Sequence, residues 1–242
     1  MADLTAAPGA WMRSHLQAVE EANAAVLDTV AEKMWEVVRG DGLIFVAGTG
    51  HSLAQMLECF FRAGGLACVY PLYHPALLPF SGASASTQQE RVSGFGRLLV
   101  ERAPAREGDL AFVFSHSGIN PVPVEIARTF REKGVTVVAV ASRDHMARAP
   151  ARGPHKLDQV SDHLIDTHVP YGDAAYDAGG GLRTMPLSSL TGIYVWNLLL
   201  TRLVERSRGG PALPIWTSAN VEGAEARNRE LFERFQRRIP HL

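Results

Sequence analysis

The eight residues Phe114-Ser115-His116-Ser117-Gly118-Ile119-Asn120-Pro121 constrain this chain more than any other stretch. The apolar run just before them, residues 110–114, reads as a buried strand. Residues 122–133 after them read as a helix. Asn120 stands at the N-cap position, and Pro121 suits the first helical position, where an N–H has no intrahelical partner to lose. Ser115, Ser117, Gly118 and Asn120 therefore sit where a strand gives way to a helix. The unpaired N–H groups and positive dipole end of that helix favour an anion. Two readings follow from these residues: a phosphate held by Ser115, Ser117 and Asn120, or a serine-rich turn closed by a cap.

The same strand-turn-helix unit recurs along the chain. Residues 43–47 read as a buried strand, Gly48-Thr49-Gly50-His51-Ser52 as a tight turn, 53–63 as a helix and 66–70 as a second strand. Residues 71–87 are broken by Pro71, Pro75, Pro79 and Gly82, and a loop of that length in a compact domain usually has a function or moves. Helical spacing returns over 88–102, and 135–141 is another strand. With right-handed crossovers, this β-α-β-α-β-α-β order gives a parallel, doubly wound α/β sheet, with 163–167 as a short fifth strand. Ahead of it, Met12, Leu16, Val19, Val26, Val30, Met34 and Val37 predict one long amphipathic helix, ended by Gly40-Asp41-Gly42. After it, 142–154 is basic and irregular, 171–181 reads as loop, 186–204 as an apolar helix and 222–239 as a charged helix. The chain divides accordingly into an N-terminal helical extension for packing or dimerisation (1–42), a ligand-binding α/β domain (43–207), and a linker with a C-terminal helix belonging to the same unit (208–242).

Composition narrows the partners. The formal net charge of the 242 residues is −1, so no basic face for nucleic acid is on offer. Cys59 and Cys68 are the only cysteines, lie in apolar surroundings without CxxC spacing, and suit a reducing cytoplasm. No apolar run approaches the roughly 20 residues that span a bilayer, and residues 1–10 lack the basic-then-apolar pattern of a signal peptide. His163 and His168 flank the fifth strand without ligand spacing, and no other set of residues has it, so no metal or cofactor is expected.

Two strand-end turns face one crevice in an open α/β sheet when they lie near a switch in strand order. The first turn is no dinucleotide fingerprint: Leu53 stands where a third glycine is needed, and no acid closes the second strand at Tyr70. It has no Lys for a P-loop, and Ser115-His116-Ser117-Gly118 is not a hydrolase nucleophile elbow. The pair does resemble the SIS (sugar isomerase) domain family. Gly48-Thr49-Gly50-His51-Ser52 is similar to its Gly-x-Gly-x-Ser turn, and Ser115-His116-Ser117-Gly118-Ile119-Asn120 to its Ser-x-Ser-Gly-x-Thr/Asn phosphate loop. Pro186-Leu187-Ser188-Ser189 is similar to the small-residue stretch that opens a later long helix. The resemblance spans 43–204. It implies a three-layer, flavodoxin-like sandwich on a five-stranded parallel sheet, homodimers, and sites for phosphorylated sugars. It is strongest to stand-alone bacterial members, among which one actinobacterial group is described as dehydrating N-acetylglucosamine 6-phosphate.

Carried over by position, Ser52, Ser115, Ser117 and Asn120 bind the phosphate, and Gly50, His116, Gly118 and Ser188 contact the substrate, His116 and Gly118 through backbone N–H groups. Helix termini and hydroxyls supply enough donors without Arg or Lys. One departure stands out. The family's amino-sugar synthases carry a glutamate just before the small-residue stretch, where this chain has Thr184-Met185-Pro186, so the base must come from elsewhere.

Isomerisation and dehydration of a 6-phosphosugar share removal of the C2 proton by a carboxylate or histidine. Glu90 is the first choice, at the start of the helix over 88–102, although any first helical turn favours Glu through the dipole. His51, inside the first turn, is the second, as acid for a leaving hydroxyl or as a sugar contact. His74 competes for that task from the long loop. His116, between the two serines, also reads as a packing residue. Asn220 is a candidate contact from a neighbouring subunit, or a simple cap near Glu222. The leading reading is a lyase dehydrating an amino-sugar 6-phosphate. An aldose–ketose isomerase is the second, and a non-catalytic sugar-phosphate sensor is the third.

Overall fold

The computed structural model describes residues 8–242. Residues 1–7, part of the expected N-terminal extension and of the segment read for a signal peptide, lie outside the described residues. Helices α1 (Pro8–Ala22) and α2 (Ala24–Arg39) precede strand β1 (Ile44–Gly48). Next come α3 (Leu53–Cys59), β2 (Val69–Pro71), α4 (Ala83–Gln89), α5 (Phe95–Glu101) and β3 (Leu110–Phe114). The chain continues through α6 (Pro121–Glu132), β4 (Thr136–Ala141), α7 (Arg143–Arg148) and β5 (His163–Asp166). A hairpin of β6 (Ala174–Gly179) and β7 (Leu182–Pro186) leads into α8 (Ser188–Arg206), and α9 (Ala224–Phe235) lies near the C-terminus.

The central sheet has five parallel strands in the order β2-β1-β3-β4-β5, between helices on both faces. β1 and β3 are buried at every residue, as continuous apolar runs in a sheet covered on both sides must be. Helices α2, α3 and α8 pack together on one face, and α5 with α6 on the other. The main apolar core includes residues from Val19 to Ile239, and a small separate cluster joins Val169, Ala175 and Leu187. Among the described residues, no helix is long and apolar enough to cross a membrane.

Five local expectations are corrected. The single helix expected over 12–37 is two helices, broken at Asn23. That side chain is 4% exposed; its Nδ2 donates to the Val19 and Asp166 carbonyls, and its Oδ1 accepts the Asp166 N–H at 2.9 Å. Asn23 thus ties the helical break to the end of β5. Asn23→Ala leaves the part-buried Asp166 N–H and C=O short of a partner. It is expected to lower stability by about 2–3 kcal/mol, measured by urea unfolding.

The helix expected over 53–63 stops at Cys59. Phe60 is extended, and Phe61, at φ 44°, turns its ring onto Trp216 and Phe232 at 5.1 and 5.4 Å. The helix expected over 88–102 is also broken, between α4 and α5. Glu125 on α6 causes the break by accepting the Gly94 and Gly96 N–H groups, which start α5 afresh. Within the segment expected as loop over 171–181, residues 174–179 form β6, which pairs with β7 as a hairpin, while 171–173 and 180–181 are turns. The hairpin's strands are mostly exposed and turn through three glycines, so no apolar alternation announced them. Within the basic stretch 142–154, Ser142 caps the short helix α7 by accepting the His145 N–H.

Candidate functional site

The register of the two central strands decides where the site lies. Gly48 of β1 pairs with Phe114 of β3, so Thr49 and Ser115 leave the sheet side by side. Strand order reverses between β1 and β3, and ligands of open α/β sheets bind outside such a switch point. Each turn is shaped by a glycine. A Cβ on Gly48 would lie 2.7 Å from the Ser52 carbonyl oxygen, so the first turn folds back onto its own strand only with glycine there. Gly118 has φ 59°, and its N–H donates to Ser115 Oγ at 3.2 Å, closing the second turn.

Both turns line one cavity of about 300 Å³, at the small end of ligand sites. Gly50, His51, Ser52, Glu90, Ser115, His116, Ser117, Asn120 and Ser188 all reach it, together with Thr49, Ser86, Thr87 and Asp173. A larger groove of about 640 Å³ adjoins it, between α3 and the loop after β2. Its walls, among them Leu53, Met56, Leu57, Phe60 and Phe80, are apolar and hold no phosphate, so the smaller, polar cavity is the candidate site.

The polar groups in the cavity are already ordered by one another. Thr49 Oγ1 donates to Glu90 Oε2 at 2.7 Å. The Glu90 carbonyl accepts the Val122 N–H at 3.1 Å, taking one of the free N–H groups at the start of α6. Asp173, at φ 66°, accepts the Leu187 and Ser188 N–H groups on Oδ1, both at 2.9 Å, and the Ser188 hydroxyl on Oδ2 at 2.7 Å. A carboxylate therefore occupies the N-terminus of α8, and the other polar donors facing the cavity belong to the two turns.

His116 forms the wall beside Asp173. Its Nε2 lies 3.1 Å from His145 Nδ1, and Tyr171 lies against the His145 ring at 4.7 Å. The Gly172 N–H also points at His145 Nδ1, at 3.4 Å, so that nitrogen is an acceptor and His116 Nε2 carries the proton. Among the described residues, His116 Nδ1 is left as a buried lone pair without a partner. Burial pushes the His116 pKa down to about 4, against an opposing pull from the Asp173 carboxylate, with His145 adding to the depression. The imidazole is neutral at pH 7.

The folded-state value lies below the unfolded one, so the unfolded chain binds more protons at acid pH. Stability is expected to fall as pH drops from about 6.5 to about 4, by up to about 3 kcal/mol through this group. His116→Phe should lose that component, read as a smaller difference in urea-unfolding free energy between about pH 7 and about pH 4 than in the wild type.

Several expected placements are corrected. Glu90 is in the cavity, but at the C-terminal end of α4 rather than at the start of a helix, so the dipole explanation for a Glu there is gone. Asn120 is the N-cap residue of α6 in position only: its side chain makes no capping bond, and its Oδ1 accepts from Arg152. The second turn thus has an arginine behind it, which the reading without Arg or Lys overlooked. The Ser188 N–H and hydroxyl are engaged by Asp173. His74 does not reach the cavity; its Nδ1 accepts the Ala76 N–H, and its ring packs on Phe95 at 5.0 Å. Asn220 is exposed, in the segment before α9, and does not line the cavity. Sequence reasoning passed over Thr49, Asp173, His145 and Arg152. Thr49 carried one usable signal, a hydroxyl inside a turn already singled out; Asp173 lies in the turn before β6, where nothing local distinguishes it. Among the described residues, no group of three or more His, Cys, Asp or Glu side chains is placed to hold a metal ion.

Fold and cavity together define a doubly wound α/β domain with a polar ligand crevice at its switch point. Residues 10–142 match the family model described as the SIS domain. A UPF0309 protein of Brucella canis is 35% identical over 230 residues, 95% of either chain, and one of Brucella anthropi is 38% identical over 213 residues, 88% of either chain. Phosphoheptose isomerase from Neisseria gonorrhoeae matches with a TM-score of 0.53 over 81% of this chain and 95% of its own. At 20% identity that likeness is one of fold. The chain belongs to the SIS domain family.

Proposed function

We propose that this protein is an enzyme acting on a phosphorylated sugar, and that its reaction begins with removal of the proton on C2. The observation that carries the reading is the Glu90 carboxylate in the same small cavity as two hydroxyl-bearing turns, where the other carboxylate, Asp173, is taken up by the Leu187 and Ser188 N–H groups and the Ser188 hydroxyl. The Ser52 and Ser117 hydroxyls and the Ser117 backbone N–H hold the phosphate; Gly118, expected as a contact, lies behind the cavity with its N–H on Ser115 Oγ. Ser115 shapes that turn, and Asn120, with Arg152 on its carbonyl oxygen, offers its amide N–H and a nearby positive charge. Gly50 and the neutral His116 form walls against the sugar.

With the phosphate fixed, C2 of the open-chain sugar faces Glu90. The carboxylate takes the C2 proton, and the electron pair moves onto the C1 carbonyl as an enolate. In the leading reading the substrate is an amino-sugar 6-phosphate such as N-acetylglucosamine 6-phosphate. The enolate re-forms the carbonyl, the C3–O bond breaks, and the departing hydroxide leaves as water with a proton from His51. The second reading is an aldose–ketose isomerase, favoured by the fold shared with phosphoheptose isomerase: the proton returns to C1 and the group on C3 stays. The proposal includes a cytoplasmic homodimer, supported by two free, buried cysteines and by exposed Leu57, Tyr73 and Phe80 around the groove beside the cavity.

The test is incubation with a panel of hexosamine and hexose 6-phosphates in deuterated water, followed by mass and ultraviolet absorption. Loss of water with a new ultraviolet-absorbing unsaturated aldehyde identifies a dehydratase, and deuterium at C2 of the remaining substrate reports the proton transfer. Incorporation without water loss identifies an isomerase. Tight binding with no exchange of any panel sugar overturns the enzyme reading in favour of a sensor.

A further inference from the structure

We propose that Thr49 is a positioning residue that aims the Glu90 carboxylate; this rests on the reading of Glu90 as the base. Thr49 follows β1 in extended conformation, φ −131° and ψ 152°, and is 7% exposed. It stands at the cap position of the turn after it, yet its hydroxyl makes no capping bond. The hydroxyl instead crosses the cavity wall to Glu90 Oε2 at 2.7 Å. An ionised carboxylate only accepts, so the threonine is the donor. The bond is charge-assisted and short, among the stronger kinds of hydrogen bond.

The Glu90 main chain is already held at both ends. Its N–H donates to the Ser86 carbonyl at 3.0 Å, and its carbonyl accepts the Val122 N–H. Freedom remains only in the side chain, whose torsions let the carboxylate swing. Thr49 removes that freedom by engaging Oε2, while Oε1 meets no protein donor among the described residues and is left for the substrate. A threonine suits the task, because its branched Cβ restricts χ1 and so fixes the direction of the hydroxyl. It also leaves the sheet beside Ser115, so one strand end aims the base while the next begins the phosphate turn.

The experiment compares wild type, Thr49→Val, Thr49→Ser and Glu90→Gln, using the panel sugar phosphate that the wild type exchanges fastest in deuterated water. Thermal unfolding checks that each variant folds. Thr49→Val keeps shape and loses the donor, so kcat is expected to fall about 10- to 100-fold with KM unchanged. Thr49→Ser restores the donor and is expected to recover most of the loss. Wild-type kcat in Thr49→Val, a loss confined to KM, or equal loss in the valine and serine variants overturns the proposal for Thr49 while Glu90 stands. Full exchange in Glu90→Gln, or none in the wild type, overturns the underlying assignment of the base, and the role of Thr49 falls with it.

Discussion

Glu90→Gln is expected to lower C2 deuterium exchange by about 10²- to 10⁴-fold, the scale on which a positioned general base acts. Glutamine keeps the length and shape of the side chain and still offers Thr49 an acceptor oxygen. It has no basic oxygen with which to take a proton. The Glu90 main-chain bonds to Ser86 and Val122 do not involve the side chain, so the cavity should keep its form. Binding of the sugar phosphate, measured by calorimetry, should therefore change little while turnover disappears. That split separates a base from a residue that merely holds the substrate. If turnover survives in the glutamine variant, the proton goes elsewhere, and His51 is the next group in the cavity to test.

Gly118→Ala should cost the most at the anion turn. The αL backbone at φ 59° penalises a Cβ by about 1–2 kcal/mol. That Cβ would also lie 2.5 Å from Met146 Sδ, 2.8 Å from its Cγ and 3.3 Å from Leu157 Cβ. Met146 is buried, so its side chain has little room to withdraw, and overpacking of this kind costs about 1–3 kcal/mol more. A total loss of about 3 kcal/mol is expected in urea unfolding. Relief of the overlap moves the Gly118 N–H off Ser115 Oγ, so sugar-phosphate affinity should fall together with stability. An alanine variant with wild-type stability and affinity would mean that the turn does not depend on this backbone conformation.

The sheet was legible because its signals are local. The runs at 43–47 and 110–114 are apolar throughout and that at 135–141 but for Thr136, and each strand sits within a residue or so of its run. The two turns were legible for the same reason, being short segments of Gly and Ser between a strand and a helix. What escaped depends on partners far along the chain. The break at Asn23 is set by Asp166, 143 residues away, and the break before α5 by Glu125, which caps from another helix. The β6–β7 hairpin packs too little apolar surface to mark its strands. In the cavity, Glu90 could be named from its residue type, but the reason given for its place was mistaken. Ser188 matched a motif, and Asp173, 15 positions earlier, proved to be its partner. Nothing local tells Thr49 from any other turn threonine, because its meaning lies in an acceptor 41 positions away.

The bond from the Val122 N–H to the Glu90 carbonyl makes α4 and the first turn of α6 a single mechanical part. An engineer who transplants the segment around Glu90 from a relative, to alter which sugar is accepted, would sever that joint unless the opening of α6 travels with it. The smallest exchangeable cassette in this scaffold is thus a pair of segments far apart in sequence, and grafts that respect only chain continuity should yield well-folded proteins with an idle carboxylate.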